Sequence, residues 1–256
     1  MNQASEKKNA QVAVISGGAG MIGRALGARL ARDGFAVAVL YHDTPASEIA
    51  RIIESLGSGG HEAFACDLTD ANAVRVTVEK IRSEMGVIGA CVHAAGSPIT
   101  RKNITDVDER ALRADFEVTF FGGFHLFKAV APVMKEARQG TIIGITSAAI
   151  EPNVASGRMA GYIPAKYALR GMLRELAREM ASSGVTVHAV APGFIPGGLN
   201  ADLPERVAEF AREKSPLGRL TTPEDVAEAV SFLCSPGARS LTGLSLPVAS
   251  GDVSAL

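Results

Sequence analysis

Tyr162 and Lys166 are the residues whose types and spacing most directly suggest chemistry. Four positions apart, they share one face if the segment is helical, and the ammonium then stands close to the phenol. A positive charge beside a phenol favours the phenolate and lowers its pKa from about 10. A tyrosine tuned in this way can exchange a proton with a carbonyl oxygen near neutral pH. Of the three tyrosines only Tyr162 has a lysine four positions on; Tyr41 has Pro45 there and Tyr167 has Gly171. Such pairs also occur on ordinary solvated helix faces, so this one takes its meaning from the elements that position it.

The first such element is a glycine-rich turn. The apolar run Gln11–Ser16 reads as a strand, Gly17 to Gly23 as the turn, and Arg24–Arg32, with Leu26 and Leu30 at helical spacing, as a helix. Gly17 and Gly23 frame the turn, and Gly18 and Gly20 let a ligand approach the backbone. The amides of the following helix, from Met21 and Ile22 onward, would face a pyrophosphate. A Gly-x3-Gly-x-Gly spacing is the expectation for this turn, in contrast to Gly-x-Gly-x-x-Gly. Its place between a buried strand and an amphipathic helix favours nucleotide binding.

Strands are then expected at Phe35–Tyr41, ended by His42, at His61–Cys66, ended by Asp67 and Leu68, and at 90–94, ended by Ala95 and Gly96. Helices at Ser47–Leu56 and Ala71–Met85 lie between them. This alternation with short connections predicts an α/β fold: one Rossmann-type domain with a doubly wound parallel sheet. Asp106–Lys135 reads as one long helix interrupted by Gly122-Gly123. Those glycines cost about 1 kcal/mol each against alanine, which close packing against another backbone would offset. Gly140–Thr146 is a fifth strand, with Ser147 at its end, and 148–161 is a loop. Ala165–Ser182 is amphipathic. Pro164 fits near a helix start but biases Ile163 away from helical angles, so the register joining Tyr162 to Lys166 stays open. Val185–Ala191 is a sixth strand ended by Pro192-Gly193. An irregular stretch around Ile195–Gly198, helices at Pro204–Lys214 and Pro223–Leu233, and a last strand at Leu244–Val248 complete the chain.

Composition excludes several classes. Lysine plus arginine (26) nearly balances aspartate plus glutamate (27), which leaves no field of one sign for nucleic acid or an anionic membrane. No apolar run reaches membrane-spanning length. The first ten residues are polar and lack the apolar core of a secretory signal. They read as a disordered terminus (1–10) ahead of one domain (11–256) in a reducing cytoplasm. Cys66, Cys91 and Cys234 are read as free thiols, and the five histidines show no metal-ligand spacing.

Taken in order, these residues resemble the short-chain dehydrogenase/reductase family. The resemblance rests on the turn Gly17–Gly23, Asp67-Leu68, Ala94-Ala95-Gly96, Ser147, Tyr162-x3-Lys166, Pro192-Gly193 and Thr242-Gly243. Within the family the chain looks most like the 3-oxoacyl-[acyl carrier protein] reductases and related carbonyl reductases. The resemblance implies seven parallel strands with helices on both faces, and nicotinamide chemistry. It assigns Ser147 to the substrate oxygen and Tyr162 to proton transfer. Lys166 would lower the phenol pKa and hold the nicotinamide ribose. The glycine turn would hold the pyrophosphate, Asp67 and Leu68 would flank the adenine, and Ala94–Gly96, Pro192, Gly193 and Ile195 would line the cofactor. Thr146 is a competing hydroxyl, and Ser147 is preferred because it aligns with the family's serine. A homodimer or homotetramer built on the 106–135 and 165–182 helices is also implied.

The chain departs from the family at several places. Thr119 stands where an asparagine usually helps to hold a water that links the lysine to solvent. Ala94-Ala95-Gly96 replaces Asn-Ala-Gly, which removes a bracing amide. Gly197 replaces a threonine that helps to hold the carboxamide. At the end of the second strand Tyr41 stands in place of the carboxylate that selects NAD, and His42 follows it, so NADP(H) is favoured over NAD(H). Asp43 argues the other way, and Ala19, before Gly20, is not basic. Three readings are carried forward: reduction of a ketone or aldehyde, an NAD-dependent alcohol or sugar dehydrogenase, and a catalytically weak nucleotide-binding protein that acts through partners.

Overall fold

The structure, a computed structural model, describes residues 10–151 and 157–253. Seven strands form one parallel sheet in the order β3-β2-β1-β4-β5-β6-β7. They are β1 Val12–Ser16, β2 Ala36–Tyr41, β3 Glu62–Ala65, β4 Ile88–His93, β5 Gly140–Ile145, β6 Val185–Pro192 and β7 Ser245–Val248. Every residue of β1 and β4 is buried, as parallel strands covered on both faces must be.

Alternation along the strands builds two cores. Val12 and Val14 of β1 face α3 (Ala71–Glu84), α5 (Gly122–Ala137) and α6 (Tyr162–Met180), through Val78, Leu126 and Leu169 among others. Ala13 and Ile15 face α1 (Met21–Arg32) and α8 (Pro223–Cys234), through Leu26, Leu30, Val226 and Val230. Two further helices, α2 (Ala46–Ser55) and α7 (Glu205–Lys214), lie near the rim. The winding direction reverses between β1 and β4, which opens a crevice at the carboxyl ends of the strands. No helix among the described residues is long and apolar enough to cross a membrane.

The expected strands and helices are present with small boundary shifts, and the main differences fall around the crevice. The segment read as one long helix is three pieces: α4 Glu109–Phe116, a π-helical segment Glu117–Phe121, and α5. A wider turn of this kind accommodates an extra residue, and Thr119 is at its centre. The glycine pair is explained by side chains rather than by a second backbone. A Cβ on Gly123 would lie 3.0 Å from the His93 ring, and one on Gly122 would lie 3.0 Å from the Leu68 Cβ. Helix α6 starts at Tyr162, three residues earlier than expected. Pro164 is its third residue, where the missing N–H has no intrahelical partner to lose. Tyr162 and Lys166 therefore share a helical face. The expected disordered terminus lies outside the described residues except for Ala10, which packs against the core. Cys66 and Cys91 are buried free thiols, and Cys234 is half-buried and free.

Candidate active site

A cleft of about 1110 Å³ runs along the carboxyl ends of the strands. It is lined by most of the residues singled out above: Gly17, Gly20–Gly23, Tyr41, His42, Asp67, Leu68, Ala94–Gly96, Ser147, Tyr162, Lys166, Pro192, Gly193 and Ile195. Gly18 and Thr119 stand behind its wall. The 150–161 loop contributes Met159, and residues 152–156 of that loop lie outside the described residues.

Packing shows why the turn is built of glycine. Gly17 has φ +66°, and a Cβ there would meet Ala95 backbone atoms at 2.7 Å. A Cβ on Gly23 would lie 2.2 Å from the Gly17 oxygen. The expected Gly-x3-Gly-x-Gly spacing fails, because Met21 holds its middle position; the chain carries Gly18-x-Gly20-x-x-Gly23 instead. The Met21 side chain reaches across the cleft, with its sulfur 3.1–3.2 Å from where Cβ atoms on Gly197 and Gly198 would stand. Helix α1 opens with no capping side chain and no acidic residue in its first turn. Its free amides, together with the side-chain-free turn, fit the pyrophosphate of a dinucleotide.

Tyr162 is half-buried at the cleft wall. Lys166, one turn further on, is 4% exposed; its Nζ donates to the Ile145 carbonyl at 2.7 Å and sits 5.6 Å from the Tyr162 ring centroid. Burial lowers the lysine pKa to about 8. The phenol departs from expectation: its pKa is raised, by burial first, and a hydrogen bond from Ser147 and the Arg101 charge oppose that rise. The ammonium lies over the ring and serves the Ile145 carbonyl, so in this geometry it does not offset the burial of the phenol. Ser147 Oγ accepts the Ala149 N–H at 3.2 Å, so its own proton is available for the Tyr162 oxygen or for a ligand oxygen in the cleft. Thr146 also lines the cleft, but its hydroxyl donates to the Val190 carbonyl at 3.1 Å.

Behind this group stands a histidine whose role the sequence does not announce. His93 is fully buried, with Nε2 3.1 Å from the Thr119 carbonyl and Nδ1 2.8 Å from Ser16 Oγ. A carbonyl only accepts, so Nε2 carries the proton and the Ser16 hydroxyl donates to Nδ1. Burial, and then the Lys166 charge, push its pKa down to about 3, so the ring is neutral. It braces β1, β4 and the π-helical segment, where loss of the amide at Ala94 suggested a missing brace.

Asp115 and Arg101 are also absent from the sequence reading. Asp115 is 1% exposed, and its Oδ1 accepts from Ser97 Oγ at 2.7 Å. Its Oδ2 and the Thr119 hydroxyl have no hydrogen-bond partner among the described residues. Burial raises the Asp115 pKa. A Cβ on Gly161, beside Tyr162, would lie 2.2 Å from Asp115 Oδ2. Arg101 links the two loops over the cleft mouth, through Asp202 Oδ2 at 2.8 Å, Asn200 Oδ1 at 2.9 Å and the Leu199 carbonyl at 3.1 Å. Its partners lie about a hundred positions away, and no local pattern signals that pairing. Arg158 is exposed, and its guanidinium reaches the Arg101 carbonyl at 3.4 Å.

At the far end of the cleft the Asp67 carboxylate accepts from the Thr69 hydroxyl and amide, at 2.7 and 2.9 Å, and these bonds lower its pKa. Leu68 is buried, and its carbonyl is 2.9 Å from His125 Nδ1.

Residues 17–252 match a family model described as Enoyl-(Acyl carrier protein) reductase. The chain belongs to the short-chain dehydrogenase/reductase family. It is therefore an NAD(P)-dependent oxidoreductase. Among its relatives is a 3-oxoacyl-[acyl-carrier-protein] reductase of Pseudomonas aeruginosa, 36% identical over 94% of this chain and 96% of the relative. Proteins of the same name from Escherichia coli (34%, over 94% and 96%) and Staphylococcus aureus (31%, over 95% and 98%) are similar along nearly their whole length. Ser147, Tyr162 and Lys166 line the same cleft as Gly17 and Gly20–Gly23 of the glycine-rich turn.

Proposed function

We propose that this protein uses NADP(H) to reduce a ketone or aldehyde of the 3-oxoacyl type to an alcohol. The observation that carries the reading is the meeting of the Ser147 and Tyr162 hydroxyls at one cleft wall, with Lys166 in the next turn of the same helix. The names of the relatives support the substrate class. A nicotinamide bound in the cleft supplies the hydride. Ser147 turns its hydroxyl from Tyr162 to donate a hydrogen bond to the carbonyl oxygen. Tyr162 gives its proton to that oxygen as negative charge builds there. Lys166 steadies the phenolate only once bound ribose hydroxyls draw its ammonium away from the Ile145 carbonyl. Thr119 supports this wall through its carbonyl, which His93 holds. The absence of a carboxylate at Tyr41 removes the repulsion that would exclude a 2′-phosphate.

A cofactor and substrate panel tests this reading. Purified protein is given NADPH or NADH with 3-oxoacyl thioesters, β-keto esters, diketones, quinones, an enoyl thioester and simple alcohols. Turnover of a keto substrate with a higher kcat/KM for NADPH is the expected result. Turnover of the enoyl thioester alone, or oxidation of alcohols with NAD alone, overturns it, and binding without turnover favours the catalytically weak protein. The cytoplasmic, homo-oligomeric reading is part of the same proposal. Phe121, Phe124 and Tyr167 are exposed on the π-helical segment, α5 and α6, and such faces suit a second copy of the chain. A monomer by light scattering at micromolar concentration contradicts that part.

A further inference from the structure

At the adenosine end, the cleft wall formed by the end of β2 is continued by Glu48, in the first turn of α2. The Glu48 carboxylate pairs with the guanidinium of Arg24, from the first turn of α1. Arg24 is also tethered backward, its Nε donating to the Ala19 carbonyl of the glycine turn at 2.7 Å. Glu48 lines the cleft and Arg24 does not, so the acid stands on the cleft side of the base. The other local base, His42, has its Nε2 3.1 Å from the Asp43 carboxylate. Arg24 and His42 at this end each face a carboxylate.

We propose that Glu48 is a specificity-determining gate: it holds Arg24 away from the cleft and competes for it with the 2′-phosphate of the cofactor. The inference rests on the NADP(H) reading and names the residue that sets how strongly the protein discriminates between the two dinucleotides. A guanidinium paired with a carboxylate offers a phosphate little net charge, and the carboxylate itself repels the phosphate. The pair is half exposed, at 49% and 36% for the two side chains, so it is weak and its partners exchange readily. Guanidinium then favours phosphate through paired N–H donors. Asp43 is less suited to this role, because its side chain is 88% exposed and free to turn into solvent.

The test is the substitution Glu48→Gln, which keeps the length of the side chain and removes its charge. Dissociation constants are measured by calorimetry for NADPH, NADH, 2′,5′-ADP and 5′-ADP, so the readout does not depend on turnover. The two ligands that carry the 2′-phosphate are expected to bind about fivefold to tenfold tighter, a gain of about 1 kcal/mol. NADH and 5′-ADP stay within about twofold by the same arithmetic. Adding Arg24→Gln should abolish the gain, since the two residues then act through one interaction. Unchanged affinity for 2′,5′-ADP, or an equal gain for 5′-ADP, overturns the gate. A wild-type protein that prefers NADH, yet shows the gain in Glu48→Gln, overturns the NADP(H) reading and leaves the gate standing.

Discussion

The two ends of the cleft handle charge in opposite ways. At the chemical end the ionisable groups are buried and their pKa values are displaced: Lys166 falls to about 8 and His93 to about 3, while Tyr162 and Asp115 are raised. At the adenosine end Arg24, Glu48, His42 and Asp43 are at the surface and occur as opposed pairs. Burial makes each charge expensive, so the chemical end holds few charges and fixes them by packing. Solvent makes charge cheap, so the adenosine end can hold several and exchange their partners. Substitutions at the first end should therefore change rate and stability, and those at the second should change ligand preference.

The largest effect expected is that of Tyr162→Phe. It removes the proton donor and keeps the ring, so turnover should fall at least about 100-fold while cofactor affinity is largely kept. Near-normal turnover in the folded variant would remove this tyrosine from the chemistry.

Lys166→Met should also depress turnover, and weaken cofactor binding, yet stabilise the fold at pH 7. The buried ammonium, with its pKa lowered from 10.5 to about 8, costs the native state about 3 kcal/mol. Loss of the bond to Ile145 returns about 1 kcal/mol of that, for a net gain of about 2. Because the folded pKa lies below the unfolded one, the wild-type penalty is full below about 8 and fades as pH climbs toward 10.5. Denaturant melts across that range should show the two proteins converging. A variant less stable than wild type at pH 7 would mean that the Ile145 bond outweighs the cost of burial.

A smaller effect is expected at the exposed end. Tyr41→Asp adds an acceptor for the ribose hydroxyls and a charge that repels phosphate, and should move the NADPH-to-NADH ratio of kcat/KM about tenfold toward NADH. Comparable losses with both cofactors would show that Tyr41 does structural work instead.

The smallest change belongs to Asp115→Asn. A carboxyl whose pKa is raised by folding favours the native state at low pH, and that support is lost as pH rises from about 4. The amide does not titrate, so the variant should gain on wild type with increasing pH, measured as a rise in relative Tm. A difference that is flat with pH would place the Asp115 carboxyl outside this balance.

Much of the architecture was legible because period and punctuation agree. Strands such as Val12–Ser16 are largely apolar runs, and several are followed within a residue or two by a turn-forming glycine, aspartate or proline, as at Gly17, Asp67 and Pro192-Gly193. Tyr162, Lys166 and Ser147 were legible as candidates because residue type and order carry them. The remaining features depend on contacts between distant positions. The π-helical segment depends on the Thr119 carbonyl meeting His93, and the direction of the Tyr162 shift depends on how deeply its ring is buried. Arg101 finds Asp202 only when the loops after β4 and β6 are folded over one cleft. Met21 shows the opposite failure: its identity was plain in the sequence, and the expected spacing passed over it.

The fit between His93 and Gly123 also constrains how this chain can change. A Cβ at 123 would stand 3.0 Å from the imidazole, close enough that the ring must give way by a few tenths of an ångström, so the two sites are coupled. The histidine packs without adjustment on a background that has glycine at 123. With the ring in place, a side chain at 123 strains the hydrogen bonds that hold the histidine. Ser16, which satisfies the other ring nitrogen, is bound into the same coupling.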